Sequence, residues 1–479
     1  MLQWDMSFNS SKKKIHFIGL CGAGMSAVAM LLKKLDWNVT GSDDNFYPPV
    51  STLIEKSGIK FFKGYRKENI PVDTDVIVIG KHAGLTPKNN QEVKAAFRSK
   101  IPIMSFPELL GLIVKGKDNI VVAGSYGKST CSALLAWCLE KTGQEPGYFI
   151  GAITHTPSES SNFGKGRLFI LEGDEYPSSN WDKRSKFLHY HPKHLLLTSL
   201  AHDHLNVFKR ITDYRRPFKK LIKLLPVNGT LTACADGDGV VETLKKMRIK
   251  ATLYGSLKNG ATWHIKNQRY EELSSFDIFR NDKKIVAVKT RLLGRHNLEN
   301  ILGVGAFVLE NKLMAPKDFA QSVRTFKSPT RRLDKKSAKT TVSIYEGFGS
   351  SVDKARTAIE TMKIHYPDRK LLVIFEPHAL SWRLKSALPW YDEIFAISKN
   401  IMIYWPDKKP DSNTISLTDI LERVKKYHDI RRFKSVVEGL ALLKKHVNKT
   451  SVVLILTSGG FDGMIDKVVS VLENKYPKR

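Results

Sequence analysis

Residues Gly124-Ser125-Tyr126-Gly127-Lys128-Ser129-Thr130 place two glycines, a lysine and two consecutive hydroxyls within a single turn of chain. That combination can grip a phosphate chain. Glycines let backbone N–H groups approach the phosphate oxygens, Lys128 supplies a point charge that reaches β- and γ-phosphates, and the Ser129 hydroxyl is a ligand type suited to Mg²⁺. ATP with Mg²⁺ is the ligand pair such a loop serves. The spacing is Gly-x-x-Gly-Lys-Ser, shorter than the common Walker A loop because Val122 stands where its first glycine would be, and an ordinary strand-to-helix turn explains the loop alone equally well. Further along lie Glu172-Gly173-Asp174-Glu175 and Ser199-Leu200-Ala201-His202-Asp203-His204. Taken singly, Glu172 reads as a cap or solvated carboxylate and His204 as a structural histidine. In this order behind Lys128, with each following an apolar run, Glu172 and His204 are candidates to complete a Mg²⁺ site with Ser129.

The elements that must position these groups are legible as periodicity. Asn119–Ala123 reads as a buried strand that runs into the loop, and a helix is predicted from near Lys128 through Leu139. Strands over Leu168–Glu172 and His194–Thr198 would bring Glu172 and His204 to the same end of a parallel sheet. Upstream, Lys14–Met30 reads as strand, glycine turn and helix, with Gly19, Gly22 and Gly24 in the turn. Asp43, about 20 residues on, stands where an acidic residue often meets a ribose or base, although Gly-x-x-Gly-x-Gly is not the dinucleotide fingerprint; a doubly wound sheet without a ligand is the less favoured alternative. Strands are also predicted over Trp37–Thr40, Ile59–Phe62, Val76–Ile79 and at Ile103. A helix beginning near Leu293 carries His296, Asn297 and Asn300, which could hold a purine or merely cap the helix. Phe326–Asp334 reads as a linker containing Arg331, and strands over Val342–Tyr345, Leu371–Phe375, Glu393–Ile397 and Ser451–Leu456 alternate with helices. The expected fold is α/β in three domains: a Rossmann-like domain over 1–116, a central P-loop ATP-binding domain over 117–327 and a C-terminal α/β domain over 328–479.

Composition narrows the function classes. A chain of 479 residues exceeds a single core, and 42% hydrophobic residues with no apolar run near 18 fit a globular protein without membrane insertion. The first residues lack an apolar signal core, and the four cysteines show neither metal spacing nor a disulfide framework, so a cytoplasmic protein is expected. The net charge of +30 raises nucleic acid as a partner, but the lysines are spread along the chain and no nucleic-acid recognition module accompanies them. An anionic small-molecule substrate accounts for the charge more simply, and no nucleic-acid partner is expected.

Taken together, the three α/β segments, the loop at 124–130, the acidic stretch Asp174-Glu175-Tyr176, Asp182–Phe187 and Gly41–Lys56 resemble the Mur ligase family. The resemblance covers nearly the whole chain. It implies an ATP-dependent ligase that activates the carboxylate of UDP-N-acetylmuramate as an acyl phosphate and joins it to an amine, here that of the tripeptide L-Ala-γ-D-Glu-meso-diaminopimelate, in peptidoglycan recycling. It also implies a monomer. Gly19, Gly22, Gly24 and Asp43 would line the UDP-sugar site. Gly124, Ser125, Gly127, Lys128, Ser129 and Thr130 would hold the ATP phosphates, His296 and Asn297 the adenine, and Arg331 a phosphate from the linker. Ser129, Glu172 and His204 would hold Mg²⁺, with Lys128, Glu172 and His204 the catalytic set. The sequence departs from the family pattern in places. Tyr126 stands for a histidine, Ser199 and Ala201 for an asparagine and a glutamate, and Ser350 and Ser351 for a histidine pair after Glu346. Glu376-Pro377-His378-Ala379-Leu380-Ser381 replaces the peptide-ligase Glu-Pro-Arg-Ser-Asn-Thr. An L-alanine ligase, or a relative that binds nucleotide without joining anything, are the competing expectations.

Overall fold

The computed structural model describes residues 13–46, 50–204, 207–398, 400–405, 414–424 and 431–478. The chain start, Tyr47-Pro48-Pro49 within the Gly41–Lys56 stretch, and Lys425 and Lys426 lie outside the described residues. The chain forms two compact units: Met1–Lys266 with Asp277–Val286 and Glu299–Val323, and Arg324–Arg479 with Asn267–Phe276 and Ala287–Leu298.

In the first unit, a five-stranded parallel sheet has the order Lys60–Lys63, Asn38–Asp43, Lys14–Ile18, Val76–Ile79, Ile103–Met104. Val76–Ile79 is buried along its length, as expected of a parallel strand covered on both faces. Strand order reverses at Lys14–Ile18, and the Gly19 turn leaves the carboxyl end of that strand, the position where open α/β sheets bind ligands. The second sheet has ten strands, and its centre is His194–Leu197, Asp118–Ala123 and Leu168–Gly173, adjacent in that order. All three run parallel, with Leu197 and Glu172 level with Ala123 and Val122. The helix Lys128–Lys141 is buried on nearly every face, which is why its sequence shows no polar stripe. One apolar cluster runs through both sheets, including Phe17, Val78, Leu109, Val121, Leu171 and Phe187.

The second unit is built on a six-stranded sheet with the order Arg332–Lys335, Ser343–Phe348, Val452–Thr457, Leu371–Phe375, Ile401–Tyr404, Arg431–Phe433. Its first pair is antiparallel and the others are parallel. Two expectations are corrected here. Glu393–Ile397 is not a strand but the end of the helix Leu388–Ile397. Pro389 suits a first helical turn, and Tyr391, Ile394 and Phe395 bury at helical spacing, so the apolar run serves a helix face. The linker Phe326–Asp334 also ends early, because Arg332 already begins an edge strand. Among the described residues no helix is long and apolar enough to cross a membrane.

Candidate active site

The strand Asp118–Ala123 delivers the chain to Gly124, whose φ of +137° and close surroundings both require glycine. A Cβ there would lie 2.2 Å from Thr198 Oγ1 and 2.7 Å from the Ser199 nitrogen. Gly127 starts the helix at φ +80°, and its Cβ would fall 2.3 Å from Asn300 Oδ1. The loop is therefore pressed between the end of the neighbouring strand and the helix Arg295–Glu310. Side-chain hydrogen bonds fasten it: Ser125 Oγ donates to the Ala201 carbonyl at 2.6 Å and Thr198 Oγ1 donates to the Tyr126 carbonyl at 2.6 Å.

Lys128 sits inside this loop with 15% of its side chain exposed. Its Nζ donates to the Gly124 carbonyl at 2.6 Å and lies 3.1 Å from Glu175 Oε2. Burial opposes its charge, but Glu175, Glu172 and Asp174 outweigh that and raise its pKa, so the ammonium is protonated at neutral pH. Ser129 Oγ donates to Glu172 Oε1 at 2.7 Å, and Glu172 Oε2 accepts from the Gly151 amide at 2.7 Å. The parallel register sets this pair, since Glu172 is one strand over from Val122, two residues before the loop. His204 also reaches the cluster, through a different carboxylate from the one expected. Its Nε2 lies 3.1 Å from Glu175 Oε1, and its Nδ1 is 3.0 Å from the Tyr176 hydroxyl.

Glu175 is thus the residue that joins the set, and the sequence reading gave it no role. It is fully buried and contacts Lys128, His204 and, at 3.4 Å, the hydroxyl of Tyr214. Its place three residues after Glu172 in an acidic stretch was the available signal. Tyr214 carried none: its hydroxyl donates to Ser125 Oγ at 2.9 Å across 89 residues of sequence. Glu175 Oε2 makes no hydrogen bond but lies against the Lys128 ammonium, so the hard oxygen donors left for a cation are the hydroxyl and carboxylate of the Ser129–Glu172 pair. These residues fit Mg²⁺.

The other expected residues form separate groups. Asp43 is buried and fully engaged by the protein, accepting from the Cys21 amide at 2.8 Å, the Asn45 amide at 3.0 Å and the Tyr65 hydroxyl at 3.3 Å. It holds the turn that contains Gly19 and Gly22, while Gly24 packs so closely on Phe106 that a Cβ would lie 2.7 Å from the ring. In the second unit, Asn297 Nδ2 donates to the Leu293 carbonyl at 2.8 Å. His296 is exposed by area yet crowded by protein, and desolvation, then Arg332 and His365, hold its pKa down at about 4. Arg331 Nε pairs with Glu346 Oε1 at 3.1 Å, and Lys336 pairs with the other oxygen at 3.0 Å. Ser351 caps the helix Val352–His365, and Ser350 Oγ accepts from Lys354 Nζ at 3.1 Å. A metal-like cluster of Glu108, Asp182 and His189 is already matched by Arg184, 2.8 Å from Asp182 and 3.8 Å from Glu108.

Comparison with known proteins bears on this geometry. Residues 14–118 match the Mur ligase family, catalytic domain, and residues 122–308 match the Mur ligase middle domain. The UDP-N-acetylmuramate–L-alanyl-γ-D-glutamyl-meso-2,6-diaminoheptandioate ligase of Escherichia coli K12 is 27% identical over 475 residues, covering 96% of this chain and 99% of that one. The UDP-N-acetylmuramate–L-alanine ligase of Clostridium botulinum strain Langeland is 30% identical over 382 residues, covering 78% and 80%. In three dimensions, the UDP-N-acetylmuramate–alanine ligase of Thermotoga maritima superposes with a TM-score of 0.76 at 20% identity, over 96% of this chain and 99% of that one, and so shows the fold.

Proposed function

Since the chain belongs to the Mur ligase family of ATP-dependent ligases, we propose that it joins the carboxylate of UDP-N-acetylmuramate to the amine of the tripeptide L-Ala-γ-D-Glu-meso-diaminopimelate. The observation that carries the site is Lys128, held between the Gly124 carbonyl and Glu175 beside the Ser129–Glu172 pair. The nearly end-to-end likeness to the tripeptide ligase of E. coli carries the substrate.

In this reading Gly124, Ser125, Gly127 and Thr130 line the polyphosphate with backbone and hydroxyl groups, and Lys128 releases its loop carbonyl to bind the β- and γ-phosphates. Ser129, Glu172 and His204 would hold Mg²⁺, which supplies charge neutralisation at the phosphates when bound. His204 must first give up a contact to Glu175 or Tyr176 for that role. An oxygen of the muramate carboxylate forms a bond to the γ-phosphorus as the bond to ADP breaks. The peptide amine then forms the C–N bond, phosphate leaves with the C–O pair, and the amine loses a proton. Positioning and charge supply most of the catalysis in such transfers. Gly19, Gly22, Gly24 and Asp43 are assigned to the UDP-sugar, with Asp43 shaping the turn. His296 and Asn297 are assigned to adenine and Arg331 to a phosphate. The reading divides the chain into domains over 1–116, 117–327 and 328–479, working as a monomer in the cytoplasm, where ATP and UDP-sugars are made.

Phosphate release from ATP and Mg²⁺ with UDP-N-acetylmuramate, measured with the tripeptide, with L-alanine and without amine, tests this. Release that rises with the tripeptide alone and yields a UDP-muramyl-tripeptide is the expected result. A response to L-alanine alone replaces the substrate assignment, and bound nucleotide with no release under any amine overturns the ligase reading.

A further inference from the structure

Residues of the second unit alone line an open pocket of about 330 Å³, among them Lys289, Arg291, Arg324 and Lys327 together with Leu273 and Thr290. Lys289 and Arg291 flank the buried Thr290 at the end of the strand Lys283–Thr290, and Arg324 and Lys327 come from the end of the helix Pro316–Thr325 and the segment after it. No carboxylate lines the cavity. Among the described residues, the side chains of Lys289, Arg291 and Arg324 form no hydrogen bond or ion pair. Glu272, beside Leu273, feels the charge of Arg291 but is already engaged by Lys335 at 2.7 Å.

Cationic side chains lining one concave space raise one another's potential, and an anion relieves that repulsion. Two guanidinium groups add planar forks that match phosphate oxygens in pairs. Lys327 already takes part in an interaction of its own, and a single carboxylate would answer one of the other three charges, whereas a diphosphate spreads several charges over a similar span. The cavity also has room beyond a simple ion, and Leu273 offers an apolar wall to an organic portion. We propose that this cavity binds a phosphate-bearing anion of the diphosphate type, free or as part of a nucleotide or sugar nucleotide. It shares no residue with the loop at 124–130. Arg291 leads into Gly294 and the helix that carries His296 and Asn297, so an occupied cavity would steady that approach.

The test uses the full chain carrying Lys128→Ala, titrated calorimetrically with inorganic pyrophosphate between about 0.05 and 0.3 M salt. Binding that weakens steeply with salt is expected. Adding Arg291→Ser with Arg324→Ser should weaken it by roughly tenfold or more, while Lys245→Ser with Lys258→Ser, an equal loss of charge elsewhere, should not. Displacement of pyrophosphate by ATP or by a UDP-sugar assigns the anion to a nucleotide, and displacement by neither assigns it to the free diphosphate. Binding absent from Lys128→Ala, retained in the Arg291/Arg324 pair, or lost equally in the lysine pair overturns the proposal. The phosphate-release assay reads the ligase separately, so either reading can fail alone.

Discussion

Lys128, Glu175 and His204 are linked by contacts of 3.1 Å, and the variants that matter most at this scale separate charge from shape. Lys128→Ala should lower the rate of ATP-dependent ligation by on the order of 10²–10³, read by phosphate release, because the transferring phosphoryl group loses its fixed cation. Glu175→Gln keeps the shape and removes the charge that most raises the Lys128 pKa after burial's opposing effect. The alkaline limb of the pH–rate profile should therefore move to lower pH, with partial recovery in Glu175→Asp; an unmoved limb would mean that Glu175 is only packing. His296 gives a pH dependence of opposite kind. Its folded pKa near 4 lies below the ordinary 6.5, so its contribution to stability is complete above pH 6.5 and is lost as pH falls through 4. The Tm of the wild type should fall more steeply over that window than the Tm of His296→Gln, by a margin kept modest through solvent screening.

At the scale of elements, the loop at 124–130 depends on two neighbours approaching closely. Gly127→Ala forces a side chain into a left-handed backbone position and against Asn300. It should cost about 1–3 kcal/mol in urea unfolding and weaken ATP binding on the order of tenfold or more. Ser351→Ala offers the contrast. It removes the cap of the helix Val352–His365, for about 0.5–2 kcal/mol, and should leave ATP affinity as it was. Much at this scale was legible beforehand. Val76–Ile79 and Leu371–Phe375 are predicted and observed over the same residues, because a buried parallel strand is an unbroken apolar run between polar turns. Glu393–Ile397 was misread for the same reason: a short apolar run suits a strand or a helix face, and its packing chose the helix.

For the molecule as a whole, the net charge of +30 predicts weak and steeply salt-dependent association with DNA or RNA. Filter binding should detect it at about 0.05 M salt and lose it near 0.2 M, with ligation unaffected by added duplex. Retention at high salt would instead indicate a dedicated nucleic-acid surface.

The sequence by itself determined the α/β class, the three successive sheets, the glycine-containing loop at 124–130 between strand and helix, and the glycine turn after the first strand. These depend on short-range chemistry: side-chain periodicity, glycine where the backbone must turn, and a lysine and hydroxyls at fixed offsets. Only the tertiary structure decided which groups meet. Sheet register brings Glu172 level with Val122 and so to Ser129, and the fold carries Tyr214 across 89 residues to Ser125. The same packing turns Asp43 inward onto the glycine turn at Cys21 and places Glu175, rather than Glu172, between Lys128 and His204. Such contacts join strands and helices far apart in the chain, and no local pattern encodes them.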